Sequence, residues 1–310
     1  MQLVTCPGDK VTDQAATGKP LEIFGHAPRC RQPRNAHEEL TVATRGYVNL
    51  PDGQIHYQTE GAGEAVILLH ASPASSNDYR NVIPVLAKTH GVVAIDTPGF
   101  GRSDAPPRRY EMPDYAECVA SVMKALGITR ANLVGHRTGS NIAICVAARH
   151  PGMVDRLVLY GCPFYGPELR KKNLTEPKYA PVVIKDDGSN LVEVFQHEAH
   201  EMPDSGPAMV RSKIIDLMIA GPRNKEALFA LFRHDMENEM RLVRAPTLLL
   251  DWSGDTFCER QKEIQGRIPG SRIQVLEGRD GNALLEKPAA FTAAVLQFLR
   301  AEPPSKPSPP

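Results

Sequence analysis

Residues 131–143 read Ala-Asn-Leu-Val-Gly-His-Arg-Thr-Gly-Ser-Asn-Ile-Ala. A short apolar run ends at Gly135, and a small-residue helical pattern begins near Thr138. Between them lies Gly135-His136-Arg137-Thr138-Gly139, with a glycine two places before and two places after the central residue. Glycines at those places let a strand bend sharply into a helix and let the two pack closely. The central residue then stands at the top of a sheet, over a helix N-terminus. An enzyme would put Ser, Cys or Asp at that tip. This chain puts Arg137 there, and a guanidinium stays protonated at accessible pH and cannot act as a nucleophile.

The flanking pattern alternates strand and helix. Strands are expected near 45–50 and 54–60, joined by the turn signal Pro51-Asp52-Gly53. Ala65 to Leu69 is a near-continuous apolar run, as a buried parallel strand should be. A helix to about His90, a strand at 91–95, a helix at 114–127, a strand at 131–135, a helix at 138–150 and a strand at 156–160 follow. Such alternation gives an α/β fold, a mostly parallel sheet with helices on both faces. It breaks over 163–242, where Pro-rich connections separate short helical stretches at 190–200, 207–220 and 225–234. Strand 246–251, a helix from about 258, strand 272–276 and helix 288–300 complete the pattern. Residues 1–43 are polar, rich in Gly, Pro, Gln and Arg, and read as a loose arm; the Pro/Ser-rich 302–310 reads as a disordered tail.

The chain resembles the α/β-hydrolase superfamily, in the capped group of epoxide hydrolases, haloalkane dehalogenases and carbon–carbon bond hydrolases. Leu68-Leu69-His70-Ala71-Ser72-Pro73 looks like its oxyanion loop, and Asp96-Thr97-Pro98-Gly99-Phe100-Gly101-Arg102-Ser103-Asp104 like its Asp-x-Pro-Gly-x-Gly-x-Ser segment. Pro246 to Leu250 followed by Asp255 looks like the strand and acid loop, and Glu286-Lys287-Pro288 like the Glu-x-Pro after the family's histidine. The resemblance implies an eight-stranded, mostly parallel sheet flanked by helices. It implies a core over 44–162 and 243–301 and a helical lid over 163–242. It also shows where this chain departs. The family nucleophile falls at Arg137, and the register of Glu-x-Pro places the family histidine at Gly281, preceded by Asp280. Of the three triad positions only the acid, Asp255, is kept.

The resemblance implies a site at the C-terminal ends of the strands, under the lid. Arg137 would point into its floor, beside the oxyanion-hole N–H groups of Thr138 and Ala71 and the positive end of a helix. A guanidinium next to two N–H donors is suited to a carboxylate or phosphate. A second reading stays open: Arg137 is long enough to fill the volume left at Gly281 and to pair with Asp255, or with Asp280, as a structural ion pair. His70 either fixes the oxyanion loop or exchanges protons, since histidine titrates near neutrality. Ser72, Asp96, Trp252 and Tyr165 are candidate ligand contacts, each with packing or local hydrogen bonding as the alternative. His136 is expected to face away from the site, and Asp251 to accept local backbone bonds. His197 and His200, three apart in the lid, lack a visible third ligand, so no metal and no cofactor are expected.

Composition bounds the remaining function classes. Lys plus Arg equals Asp plus Glu at 36 each, which gives nothing to attract nucleic acid. The six cysteines, at 6, 30, 118, 145, 162 and 258, show no paired or metal-like spacing. No signal segment or membrane-length apolar run is visible, so a cytoplasmic, soluble chain is expected, with a homodimer left open. Two functions remain. The chain is an atypical hydrolase or lyase acting on a small organic acid, ester or carbonyl compound, with Arg137, Asp255 and His70 as its working groups. Alternatively it is a catalytically inactive pseudo-hydrolase that binds a small, anionic ligand.

Overall fold

A computed structural model describes residues 43–176, 180–201, 206–278 and 283–301. The arm (1–42), the tail (302–310), Asp280 and Gly281 lie outside these described residues. Eight strands form one sheet: β1 (Thr44–Leu50), β2 (Gly53–Glu60), β3 (Ala65–Leu69), β4 (Gly91–Ile95), β5 (Ala131–His136), β6 (Val154–Tyr160), β7 (Thr247–Trp252) and β8 (Arg272–Leu276). Their spatial order is β1-β2-β4-β3-β5-β6-β7-β8. The first two strands pair antiparallel, as do β2 and β4; every later pairing is parallel. This is the α/β-hydrolase fold.

The helices in chain order are α1 (Ile83–Leu86), α2 (Met112–Ala125), α3 (Thr138–Arg149), α4 (Pro167–Asn173), α5 (Leu191–Glu201), α6 (Pro207–Ala220), α7 (Glu226–Arg233), α8 (Met236–Leu242), α9 (Gln261–Gln265), α10 (Ala283–Glu286) and α11 (Pro288–Arg300). Five of them, α4 to α8, lie between β6 and β7 and form the lid insertion. In the central strands the side chains alternate between two cores. Ile67, Leu69 and Leu133 join the α2 and α3 side, whereas Val66, Leu68 and Val134 join the α1 and α11 side. Because both faces are covered, β3 and β5 are apolar nearly throughout.

Three expectations needed correction. The single helix expected up to His90 is a 3-10 turn at Ser76–Tyr79 followed by the short α1, because Pro84 opens a new helix at its first turn. The helix expected from about 258 is a 3-10 turn at Cys258–Arg260 leading into α9. The lid also contains α4 and α8, which the sequence reading missed because each is short and mostly polar.

The elbow is assembled by close backbone approach. A β-carbon on Gly135 would lie 2.5 Å from the Gly139 carbonyl oxygen, and one on Gly139 would lie 2.1 Å from that of Leu69. The first contact sets β5 against α3; the second seats the N-terminus of α3 on the end of β3, where the oxyanion loop begins. Backbone cannot yield as a flexible side chain can, so Gly139→Ala should destabilise the fold by at least the ~1–3 kcal/mol typical of overpacking. Urea denaturation of the variant against the parent measures this; an unchanged midpoint would show that the two segments are not in contact.

Candidate functional site

Arg137 is the only non-glycine residue with positive φ among the described residues (φ 52°, ψ −115°). Such a conformation costs on the order of 1–3 kcal/mol and persists only where neighbours hold it. Here the Arg137 N–H donates to the Tyr160 carbonyl at 2.9 Å, and its own carbonyl accepts from the Ser140 N–H at 2.9 Å. Ser140 Oγ donates to the Gly135 carbonyl at 2.7 Å, tying the first turn of α3 back to β5. The elbow conformation expected from the two glycines is therefore present, with a guanidinium at its tip.

From there the side chain runs across Gly161 to Asp255. A β-carbon on Gly161 would sit 3.2 Å from Arg137 Nε, so a side chain at that position would crowd the guanidinium. Arg137 Nη1 donates to Asp255 Oδ1 at 3.0 Å, and Nη2 donates to Oδ2, giving a two-pronged pair. The Phe257 ring lies 4.7 Å from the guanidinium carbon, a cation–π contact. The Phe257 N–H donates to Asp255 Oδ1 at 2.7 Å. The Asp255 side chain is fully buried, while a quarter of the Arg137 side chain (25%) remains exposed. Tyr165 packs edge-on against Phe257 (6.3 Å between centroids) and against Phe232 of α7 (5.2 Å), so an aromatic wall links the ion pair to the lid.

The loop after β3 is anchored by His70. Its Nε2 accepts from the Thr97 N–H at 3.0 Å, so the ring proton sits on Nδ1, which donates to the Ala71 carbonyl at 2.8 Å. Burial lowers the pKa of this ring from its usual value. Both nitrogens thus bind backbone, and the side chain ties the β3 and β4 loops together. Ala71 and Ser72 follow it in the loop; Ser72 Oγ donates to the Asn224 carbonyl of the lid at 3.4 Å. Thr138 begins α3, where an N–H has no intrahelical acceptor.

Asp96 is 2% exposed and accepts from His56 Nδ1 (2.8 Å), the Ser76 N–H (2.6 Å) and the Arg102 N–H (2.8 Å). Its oxygens hold β2 and the segments around Ser76 and Arg102 together. Trp252, expected at the site, is 3% exposed and packs in the core shared with α11, with Lys287 Nζ 4.7 Å from its ring centre. It ends β7 with its side chain on the α11 side, the packing arrangement that was the alternative to a ligand contact. His136 stacks on Tyr160 at 4.7 Å. Asp251 accepts from the Trp252 N–H and from Gln261, each at 2.9 Å. Burial pushes up the thiols of Cys162 and Cys258, which lie near the strand ends. His197 and His200 are exposed on α5.

The sequence reading missed one residue near the loop. Asp216 of α6 is 5% exposed and accepts from Ser75 Oγ at 2.8 Å, joining lid to core. Burial, with Asp96 nearby, pushes its carboxyl up to about 6 against the Ser75 hydrogen bond. The available signal was a charge at the helical register of Met209 and Ala220, on the apolar face of α6.

Residues 64–180 match the model of a family described as alpha/beta hydrolase fold. The chain is 38% identical to a 2-hydroxy-6-oxononadienedioate/2-hydroxy-6-oxononatrienedioate hydrolase of Paraburkholderia phymatum, over 83% of this chain and 96% of that protein. It is 28% identical to a 2-hydroxy-6-oxo-6-phenylhexa-2,4-dienoate hydrolase of Comamonas testosteroni, over 81% of this chain and 93% of that one. A solved meta-cleavage product hydrolase of Pseudomonas fluorescens IP01 shares the fold, with a TM-score of 0.61 at 22% identity over 80% of this chain and 94% of that one. The chain belongs to the α/β-hydrolase superfamily. Within it, the curated relatives it resembles over most of its length are hydrolases named for 2-hydroxy-6-oxo dienoate-type compounds. Among the described residues no helix is long and apolar enough to cross a membrane.

Asp96 supplies a pH test of this framework. Burial alone would raise its pKa, but the His56 hydrogen bond and the two backbone donors outweigh burial and hold it at about 2. A carboxyl depressed in the folded state contributes stability that is complete above its unfolded pKa, near 4, and is lost as pH falls through about 2. The shift corresponds to about 2 kcal/mol. Asp96→Asn should therefore flatten that part of the stability–pH curve, read by urea unfolding between pH 5 and 2; an unaltered slope would refute the assignment.

Proposed function

We propose that this chain is a pseudo-hydrolase: a protein that binds a small oxo- or hydroxy-carboxylate non-covalently and forms no acyl-enzyme. The observation that carries this reading is the two-pronged pairing of Arg137 with Asp255 at the place where a hydrolase joins nucleophile and acid through imidazole. A permanently protonated side chain at the elbow cannot attack a carbonyl. The acid is engaged in the ion pair rather than orienting a base. In sequence, the register of the missing imidazole falls on Gly281. His70 has both nitrogens on backbone, so it positions the loop and does not shuttle protons.

Anion binding is supported by what remains at the elbow. A quarter of the Arg137 side chain (25%) is exposed, and the first-turn N–H groups of α3 add partial positive charge beside it. The ligand class follows from relatives whose named substrates carry carboxylates conjugated to oxo and hydroxy groups. A second reading keeps the same ligand but lets Arg137 and the N–H donors stabilise developing oxygen charge in a lyase or isomerase step. The partial exposure of the Arg137 side chain is compatible with this reading as well.

The test uses 2-hydroxy-6-oxo-6-phenylhexa-2,4-dienoate, with binding followed by calorimetry and integrity by the compound's own absorbance. Saturable binding with an intact compound is expected. Arg137→Ala should weaken binding by about 10-fold or more, the worth of a charge-assisted hydrogen bond. Turnover abolished in Arg137→Ala would select the second reading. Turnover equal in parent and variant, or a covalent adduct at the elbow, would remove both.

A further inference from the structure

The lid insertion ends in a cluster that neither the fold nor the elbow requires. Cys145 of α3, His234 at the end of α7 and Glu239 of α8 bring one ligand-type atom each to within 4.8 Å of one another. Met236, also on α8, places its thioether sulfur 3.9 Å from Cys145 Sγ. His234 Nε2 lies 3.3 Å from Glu239 Oε1, yet this buried nitrogen makes no hydrogen bond among the described residues. Three of the four groups come from the stretch His234-Asp235-Met236-Glu237-Asn238-Glu239, and the fourth from the core helix.

The 3.3 Å between His234 Nε2 and Glu239 Oε1 is that of two ligand atoms around one ion, and Cys145 Sγ, within 4.8 Å of both, would close in on binding. With zinc bonds of about 2.0–2.1 Å to nitrogen or oxygen and about 2.3 Å to sulfur, a tetrahedron has N–O edges of about 3.3 Å and S–S edges of about 3.8 Å. We propose that Cys145, His234 and Glu239 form a zinc site, with the Met236 thioether or a water at the fourth corner, that staples the core helix α3 to the end of the lid insertion. The donor set, one thiolate, one imidazole and one carboxylate, suits zinc and other thiophilic cations and not magnesium or calcium. Thiolate and carboxylate together offset the charge of Zn²⁺, which leaves the Arg149 guanidinium on Glu239 as the uncompensated positive group. On binding, the Cys145 S–H bond breaks, an S–Zn bond forms, and the proton leaves to solvent.

Arg149 occupies the place of an outer partner. It donates to Glu239 Oε1 from Nε at 3.1 Å and from Nη2 at 2.7 Å, as ligating carboxylates are commonly held by a further hydrogen bond. The side chains of His234 and Arg149 are 20% and 39% exposed, so the cluster lies near the surface. An ion-pair network alone would use Arg149, Glu239 and His234, but it would not require a thiol to converge on the same point. Cys145 and His234 are far apart in the chain, and only the packing of α3 against the α7–α8 segment unites them.

The experiment is cobalt(II) substitution followed by zinc competition on the full chain after treatment with a chelator. One Co²⁺ per chain is expected, with a thiolate-to-metal charge-transfer band, displaced stoichiometrically by Zn²⁺ with release of about one proton. Cys145→Ser should abolish the band, and His234→Gln should weaken zinc binding at least tenfold. Circular dichroism of both variants establishes that they are folded; if either is not, Met236→Leu is used, with a shifted cobalt spectrum expected. Absence of stoichiometric binding, or a charge-transfer band that survives in folded Cys145→Ser, would overturn the proposal.

Discussion

A single ion pair organises the upper end of this molecule. Arg137 and Asp255 are separated by 118 residues in sequence and meet across the ends of β5 and β7. A buried carboxylate is costly alone and tolerable when paired and hydrogen bonded. Asp255 satisfies that condition through the guanidinium and the Phe257 N–H. The pair in turn explains why the guanidinium crosses Gly161 and why Phe257 lies against it. The strained backbone of Arg137 belongs to the fold: the glycines around it set the elbow, whatever side chain the tip carries.

The framework below the pair is hydrolase-like in detail. Close approach at Gly135 and Gly139 brings strand, helix and oxyanion loop together. His70 and Asp96, each committed to backbone donors and acceptors, hold the loops after β3 and β4 in place. Ser75 and Asp216 add a contact from lid to core. At the tip of the elbow the side chain is a guanidinium paired with Asp255. A fold can keep its pocket architecture while its reaction changes or disappears, which is why function here has to be argued from the site.

Much of the fold was legible in sequence. The runs forming β3, β8, α6 and α11 were readable to the residue, because apolar periodicity is bounded there by Gly or Pro. The segment after β3 was not, since local propensity does not reveal that Pro84 starts a separate short helix. At the site, the elbow's glycine spacing located Arg137, and chain register suggested Asp255 as its partner. That reading competed with open ligand contact, and only geometry across distant strand ends could show the two-pronged contact. For Trp252 packing and ligand contact both stayed open in sequence, because a residue at a strand end can face either side of the sheet and register alone does not say which. Asp216 was missed because its partner, Ser75, is 141 residues away.

The most direct measurement is a double-mutant cycle on unfolding free energy, using Arg137→Ala, Asp255→Ala and the double variant. If the guanidinium and carboxylate form the pair described, each single variant leaves a desolvated charge behind and the double variant relieves it. The two losses should then fail to add by at least about 1 kcal/mol. Losses that add to within about 0.5 kcal/mol would mean that the two side chains are energetically independent, and the reading of the elbow as a charge clasp would be wrong.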